Sequence, residues 1–147
     1  MSDRGDVEEL ARQAIDTGFH IHRELGPGLF ESVYEALLAL KLAEIGLSVQ
    51  RQAPIAIEYE GVPLGEGFRA DLLVENRLLI EVKSLERLSP LHTKQLLTYL
   101  RLVQQPLGLL MNFGGDTFRE GVKRVVNDHE SPSTRLRVNR ILAIQVE

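Results

Sequence analysis

The sequence predicts a single mixed α/β domain in which helices cover a small sheet, and three observations carry that prediction. Two amphipathic helical patterns open the chain, the hydrophobic period shifts to two from Ser48 onward, and a further helix separates two strongly apolar strands. At 147 residues, with 44% hydrophobic and 26% charged, the chain can build one ordinary core without covalent staples.

The first helix is expected from Asp6 to Leu25, where Val7, Leu10, Ala14, Gly18, Ile21 and Leu25 fall on one stripe and Asp6 with Glu9 resembles a capping box. Gly26-Pro27-Gly28 breaks it. The second should run from Phe30 to Glu44 with Phe30, Val33, Leu37 and Leu40 inward, stopping at Gly46. Val49 to Tyr59 alternates as a strand, in which Pro54 marks an edge or a bulge. After the turn signal Glu60-Gly61 comes a short extended stretch to Gly67. Phe68–Val74 and Leu78–Lys83 then form a hairpin around Glu75-Asn76-Arg77.

Ser89-Pro90 begins a third helix that reaches Val103, with serine as cap and proline in the first helical position. Leu107 to Met111 is a continuous apolar run, as in a strand covered on both faces. Phe118, Val122 and Val126 fit a strand or a helix. Asp128 to Thr134 reads as a linker, and Leu136 to Val146 as a strand or a docked tail. Residues 1–127 are thus the expected domain and 128–147 a C-terminal extension to which no role is assigned.

Composition excludes several classes of function. There is no cysteine, which removes disulfides, thiolate chemistry and cysteine-containing zinc sites, and suits a cytoplasmic protein. Only four histidines are present, and His20 and His22 point in different directions on a helix. No run approaches the roughly 18 apolar residues of a membrane span, and MSDRGDVEEL lacks the apolar core of a secretory signal. The formal charge of −4 argues against a protein that coats nucleic acid. Arg119, Lys123, Arg124, Arg135, Arg137 and Arg140 nevertheless gather in one stretch, as a basic rim or an ordinary solvated surface would.

Asp71, Glu81 and Lys83 form the sharpest constellation. Glu81 and Lys83 flank Val82 in a strand and so share a face. A two-residue turn would put Asp71 and Glu81 on opposite faces. A three-residue turn at Glu75-Asn76-Arg77 pairs them directly, with Asn76 or Arg77 left-handed. Two carboxylates on one face suit Mg²⁺ or Mn²⁺ rather than zinc, and Lys83 could orient a water or stabilise charge on a phosphoryl group. A cross-strand salt ladder on a solvated edge is the competing reading.

Two neighbouring patterns add weight. His92, Gln95 and Tyr99 share one helical face, where Gln95 and Tyr99 could reach a metal site or a phosphate. Glu31 and Tyr34 sit near a helix start. Gly28 as cap with Glu31 at the third position would be worth about 0.5–1 kcal/mol as a plain helix-start signal. Alternatively, Glu31 is a further carboxylate aimed at the metal.

Gly28-x-x-Glu31-x-x-Tyr34 matches the signature of the small GxxExxY proteins, which resemble the PD-(D/E)XK nuclease superfamily. The resemblance spans roughly residues 8 to 127. It rests on the ordered set Glu31, Asp71, Glu81-x-Lys83 and Gln95-x-x-x-Tyr99, with Arg69-Ala70 where the superfamily name expects a proline before the aspartate. It implies a restriction-endonuclease-like α-β-β-β-α-β core, a small mixed sheet flanked by helices. It further implies Asp71, Glu81 and the Val82 carbonyl as metal ligands, Lys83 as the catalytic lysine, and Glu31 as a supporting acid. Gln95, Tyr99 and Tyr34 would contact substrate. The expected activity is metal-dependent phosphodiester hydrolysis of DNA by metal-activated water. A module that keeps the fold and binds nucleic acid or protein without cutting is the alternative, and a homodimer or larger complex remains open.

Overall fold

The computed structural model describes residues 3–128 and 136–141. The elements run α1 (Asp3–Leu25), α2 (Glu31–Glu44), β1 (Val49–Tyr59), β2 (Val62–Val74), β3 (Leu78–Lys83), α3 (Pro90–Val103), β4 (Leu107–Asn112), α4 (Phe118–Gly121), β5 (Val122–Val126) and β6 (Leu136–Ile141). From α2 to β4 this is the expected α-β-β-β-α-β order. Among the described residues the strands form one six-stranded sheet ordered β5-β4-β3-β2-β1-β6, in which only β3 and β4 are parallel. A parallel pair needs a crossover, and α3 supplies it. No helix among the described residues is long and apolar enough to cross a membrane.

The sheet has a core on each face. On one side α1 and α2 pack on Leu72, Val74, Leu78, Ile80, Val82, Leu109 and Met111. On the other, Leu96 and Leu100 of α3 meet Ala53, Ile55, Ala70, Leu73, Leu79 and Leu110. Neighbours along β3 and β4 therefore serve opposite cores, as a strand buried on both faces must. Each fully buried leucine or isoleucine contributes about 1.5–3 kcal/mol. In β3 the alternation assigns Leu78, Ile80 and Val82 to the α1/α2 side, which turns Glu81 and Lys83 toward the α3 side.

Local signals placed α3 correctly. Ser89 accepts from the Leu91 amide at 3.1 Å and its own amide donates to His92 Nδ1 at 3.1 Å, a capping box in which histidine replaces the usual acid. The α1 start differs from expectation. The helix begins three residues earlier, so Asp6 lies inside it and pairs with Arg77 at 3.4 Å, while Glu9 pairs with Arg12. Leu25, expected inward, is exposed.

The α2 stripe is also corrected. Phe30 is the N-cap, not Gly28, and Glu31 is the first helical residue. Tyr34, Glu35, Leu38, Ala39 and Leu42 face inward, whereas Phe30 is 83% exposed and Val33 and Leu40 are exposed too. The helix is apolar on two sides, and an acid in the buried stripe made the wrong side look like the inner one.

β2 is one continuous strand rather than a short stretch followed by another. Pro54 lies in β1 opposite Arg69, just before Ile55, where the described pairing with β6 starts. Phe118 caps the core from α4 and Val122 opens β5, so that segment holds both element types. Most of the expected linker, and residues 142–146 of the expected tail, lie outside the described residues. The extension contributes β6 to the β1 edge of the same sheet. β5 and β6 occupy opposite edges, so the basic stretch forms no single rim. Arg124 is in addition tied to Glu8 at 2.6 Å, and Arg135 lies outside the described residues.

Candidate metal-binding site on the central hairpin

The β2–β3 hairpin turns through Glu75-Asn76-Arg77, and the Arg77 amide donates to the Val74 carbonyl at 3.0 Å. Glu75 and Asn76 are left-handed, with φ of 53° and 56°. Asn76 was expected there, while Glu75 takes the place considered for Arg77. The resulting register pairs Val74 with Leu78, Leu73 with Leu79 and Leu72 with Ile80. Continued by one step, it sets Asp71 opposite Glu81.

At that step side chains replace the ladder. The Asp71 amide donates to Glu81 Oε2 at 2.9 Å, and the Val82 amide donates to Asp71 Oδ2 at 2.8 Å. The strands part here, and each carboxylate satisfies an amide that the sheet no longer pairs. A slip in the pleat accompanies this. Ala70 and Leu73 serve the same core although three residues apart, so the alternation breaks around Asp71.

Glu81 is only 6% exposed. Burial pushes its carboxyl up to about 8, and the Asp71 charge adds to the rise. The Asp71 amide and the Lys83 ammonium pull the other way, and Glu35 raises it further. Tyr99 of α3 is half-buried, and its phenol is raised by burial and then by Glu81 and Asp71. Its ring stacks on Phe68 with centroids 4.0 Å apart. Asp71, Glu81, Lys83 and Tyr99 thus share one electrostatic neighbourhood.

Two residues of this neighbourhood escaped the sequence reading. Glu35 of α2 is 5% exposed and accepts from Arg51 Nε at 3.0 Å and from Gln52 Nε2 at 2.6 Å. Gln52 Nε2 also donates to Asp71 Oδ1 at 3.2 Å. The signal for Glu35 was the four-residue spacing of Tyr34, Leu38 and Leu42, which places it on the inward side. Gln52 left no signal in the pattern.

The other expected residues divide. Glu31 is exposed on the first turn of α2, one turn before Glu35 and on the same side. Gln95 is exposed on α3, one turn before Tyr99. Tyr34 has a different place from the one expected. It is fully buried, stacked on Phe113 at 4.6 Å, and its hydroxyl donates to the Gly26 carbonyl at 2.6 Å and accepts from the Leu29 amide at 3.2 Å. It has no surface to offer a substrate and instead anchors the Gly26–Leu29 loop. Ser84 Oγ ties the same loop to the end of β3 through the Leu29 carbonyl at 2.7 Å.

Among the described residues, no three His, Cys, Asp or Glu side chains converge as a ready-made metal cage. The donor set fits a smaller requirement. Mg²⁺ is commonly held by one or two carboxylates, with waters and substrate oxygens filling the remaining positions. A buried Glu81 facing the charge of Asp71 is the arrangement that a hard divalent cation relieves.

A protein-family model for the PD-(D/E)XK nuclease superfamily matches residues 8–125. Comparison with curated proteins and comparison with solved structures each give no match. Nucleases of that superfamily generally use divalent metal ions. With the match covering most of the domain, and the sheet order and acid pair in agreement, the chain belongs to the PD-(D/E)XK nuclease superfamily.

Proposed function

We propose that the protein hydrolyses phosphodiester bonds in DNA with Mg²⁺ or Mn²⁺ held by Asp71, Glu81 and the Val82 carbonyl. The observation that carries this reading is the pairing of a half-buried Asp71 with the buried Glu81, with Lys83 on the same face as Glu81. A bound divalent ion supplies a water of lowered pKa and polarises a phosphoryl oxygen.

The chain's own residues do the rest. Asp71 and Glu81 fix the cation because each is itself held by a backbone amide of the opposing strand. Lys83 stabilises charge developing on the phosphoryl oxygens and orients the attacking water. Tyr99, with Gln95 one turn away, faces the substrate from α3. Glu31 supports the cation from the rim of α2. A cytoplasmic location accords with the absence of cysteine.

The test is a cleavage assay on labelled single-stranded, duplex and branched DNA and on RNA, with Mg²⁺, Mn²⁺ or EDTA, beside a Lys83→Ala control. Products that require metal and vanish in the control are expected, on DNA. Products on RNA alone would correct the substrate. Mn²⁺ binding without cleavage of any substrate would favour the non-cleaving module, a reading that the charge of −4 supports.

A further inference from the structure

We infer that Gln52 is a positioning residue for Asp71, its carboxamide nitrogen bridging that aspartate to the buried Glu35 of α2. The inference rests on the metal-dependent reading of the site and adds a role for a residue outside the acid-acid-lysine set. Among the described residues, five non-glycine residues have positive φ. Glu60, Glu75 and Asn76 lie in turns, and Gln104 caps the C-terminus of α3. Gln52, at φ 50°, alone of the five lies within a strand.

No change of register accounts for it. Arg51 pairs with Leu72 and Ala53 with Ala70, so Gln52 faces Asp71 in an unshifted ladder. The unusual backbone accompanies a contact instead: Gln52 Nε2 lies 2.6 Å from Glu35 Oε1 and 3.2 Å from Asp71 Oδ1. Left-handed backbone at a non-glycine residue persists where the surroundings hold it, and such residues gather at functional sites.

The chemistry of the bridge is specific. A primary amide nitrogen carries two hydrogens, one for each carboxylate, and no charge. A lysine there would compete with a cation for Asp71, and a glutamate would add a third repelling charge. Arg51 holds the other oxygen of Glu35 at 3.0 Å, so the far end of the bridge is fixed as well. With Oδ2 on the Val82 amide and Oδ1 on Gln52, the Asp71 carboxylate cannot rotate freely. Its remaining lone pairs keep one direction.

The test uses Gln52→Asn and Gln52→Gly. Both residues adopt positive φ more readily than glutamine, asparagine is one methylene too short for the bridge, and glycine has no side chain. Mn²⁺ affinity by calorimetry is expected to fall about tenfold or more in both, the usual effect of losing a group that orients a metal ligand. The metal-free thermal midpoint balances two opposing changes, relief of the backbone and one partner lost by Glu35, which keeps Arg51, so both variants should remain folded at the assay temperature. Cleavage lost at low Mn²⁺ should return at saturating Mn²⁺.

Unchanged Mn²⁺ affinity in both variants would overturn the role of Gln52 while leaving the metal site intact. A lower affinity found only where the variants are unfolded at the assay temperature, with no return of cleavage at saturating Mn²⁺, would make Gln52 a structural residue and also overturn it. Wild-type protein that binds no Mn²⁺ would remove the metal-dependent reading and this inference with it.

Discussion

The Asp71 amide donates to the Glu81 carboxylate across the β2–β3 hairpin at 2.9 Å, and the Asp71 carboxylate accepts in turn from the residue after Glu81. The two acids hold each other through the main chain rather than through a shared proton. Both therefore sit where a cation could be gripped, at an electrostatic cost that can be measured.

Glu81 sets the pH dependence of stability. Its carboxyl is raised to about 8 in the folded protein, against an ordinary value of 4.5. Between those values the native state keeps a proton that the unfolded chain has released, so stability falls as pH rises. The metal-free protein should melt at a lower temperature at pH 8 than at pH 5.5. Glu81→Gln still accepts from the Asp71 amide and cannot ionise, so it should be the more stable protein at pH 8, by a few kcal/mol. Melting curves in EDTA across that range check both expectations.

Metal binding should expel that proton. An ion bound between the acids needs Glu81 ionised, so Mg²⁺ affinity should rise between pH 6 and 8 with close to one proton released. Calorimetry in two buffers of different ionisation enthalpy measures the number. A pH-independent affinity with no proton release would place the ion elsewhere.

Tyr34→Phe should keep the stack on Phe113 and lose both hydroxyl bonds to the Gly26–Leu29 loop. A loss of about 1–3 kcal/mol in urea unfolding is expected, from two backbone groups left without their partner. Faster amide exchange at Leu29 should accompany it.

Gly114 is expected to tolerate no side chain. A Cβ there would collide with the Leu85 backbone, which Asn112 already clamps through bonds of 2.8 Å and 2.9 Å. Backbone on both sides of the clash leaves little room to give. Gly114→Ala should cost at least about 2 kcal/mol, read by urea unfolding.

The legible parts of this protein were those written locally. Ser89-Pro90 fixed the start of α3, and the length of the Glu75–Arg77 turn decided which face Asp71 would share. The α2 stripe misled because hydrophobic patterning counts a glutamate as solvent-facing. Glu35 is buried only because Arg51 and Gln52 arrive from β1 to meet it. Tyr34 fits a binding motif by spacing, yet its hydroxyl is engaged by a loop whose path no short pattern encodes. Gln52 was invisible for the same reason: its backbone angle accompanies a contact between two distant elements.

The two outer strands differ in what they offer to another molecule. β5 is a short edge with Lys123 and Arg124 exposed at its middle, and an incoming strand would have to strip water from both charges. β1 is covered along Ile55–Tyr59, where β6 takes up its hydrogen-bonding groups. Beyond it the hairpin carries the exposed Val62 and Leu64. Peeling β6 away would leave the β1 hydrogen-bonding groups along Ile55–Tyr59 open to a strand from another molecule.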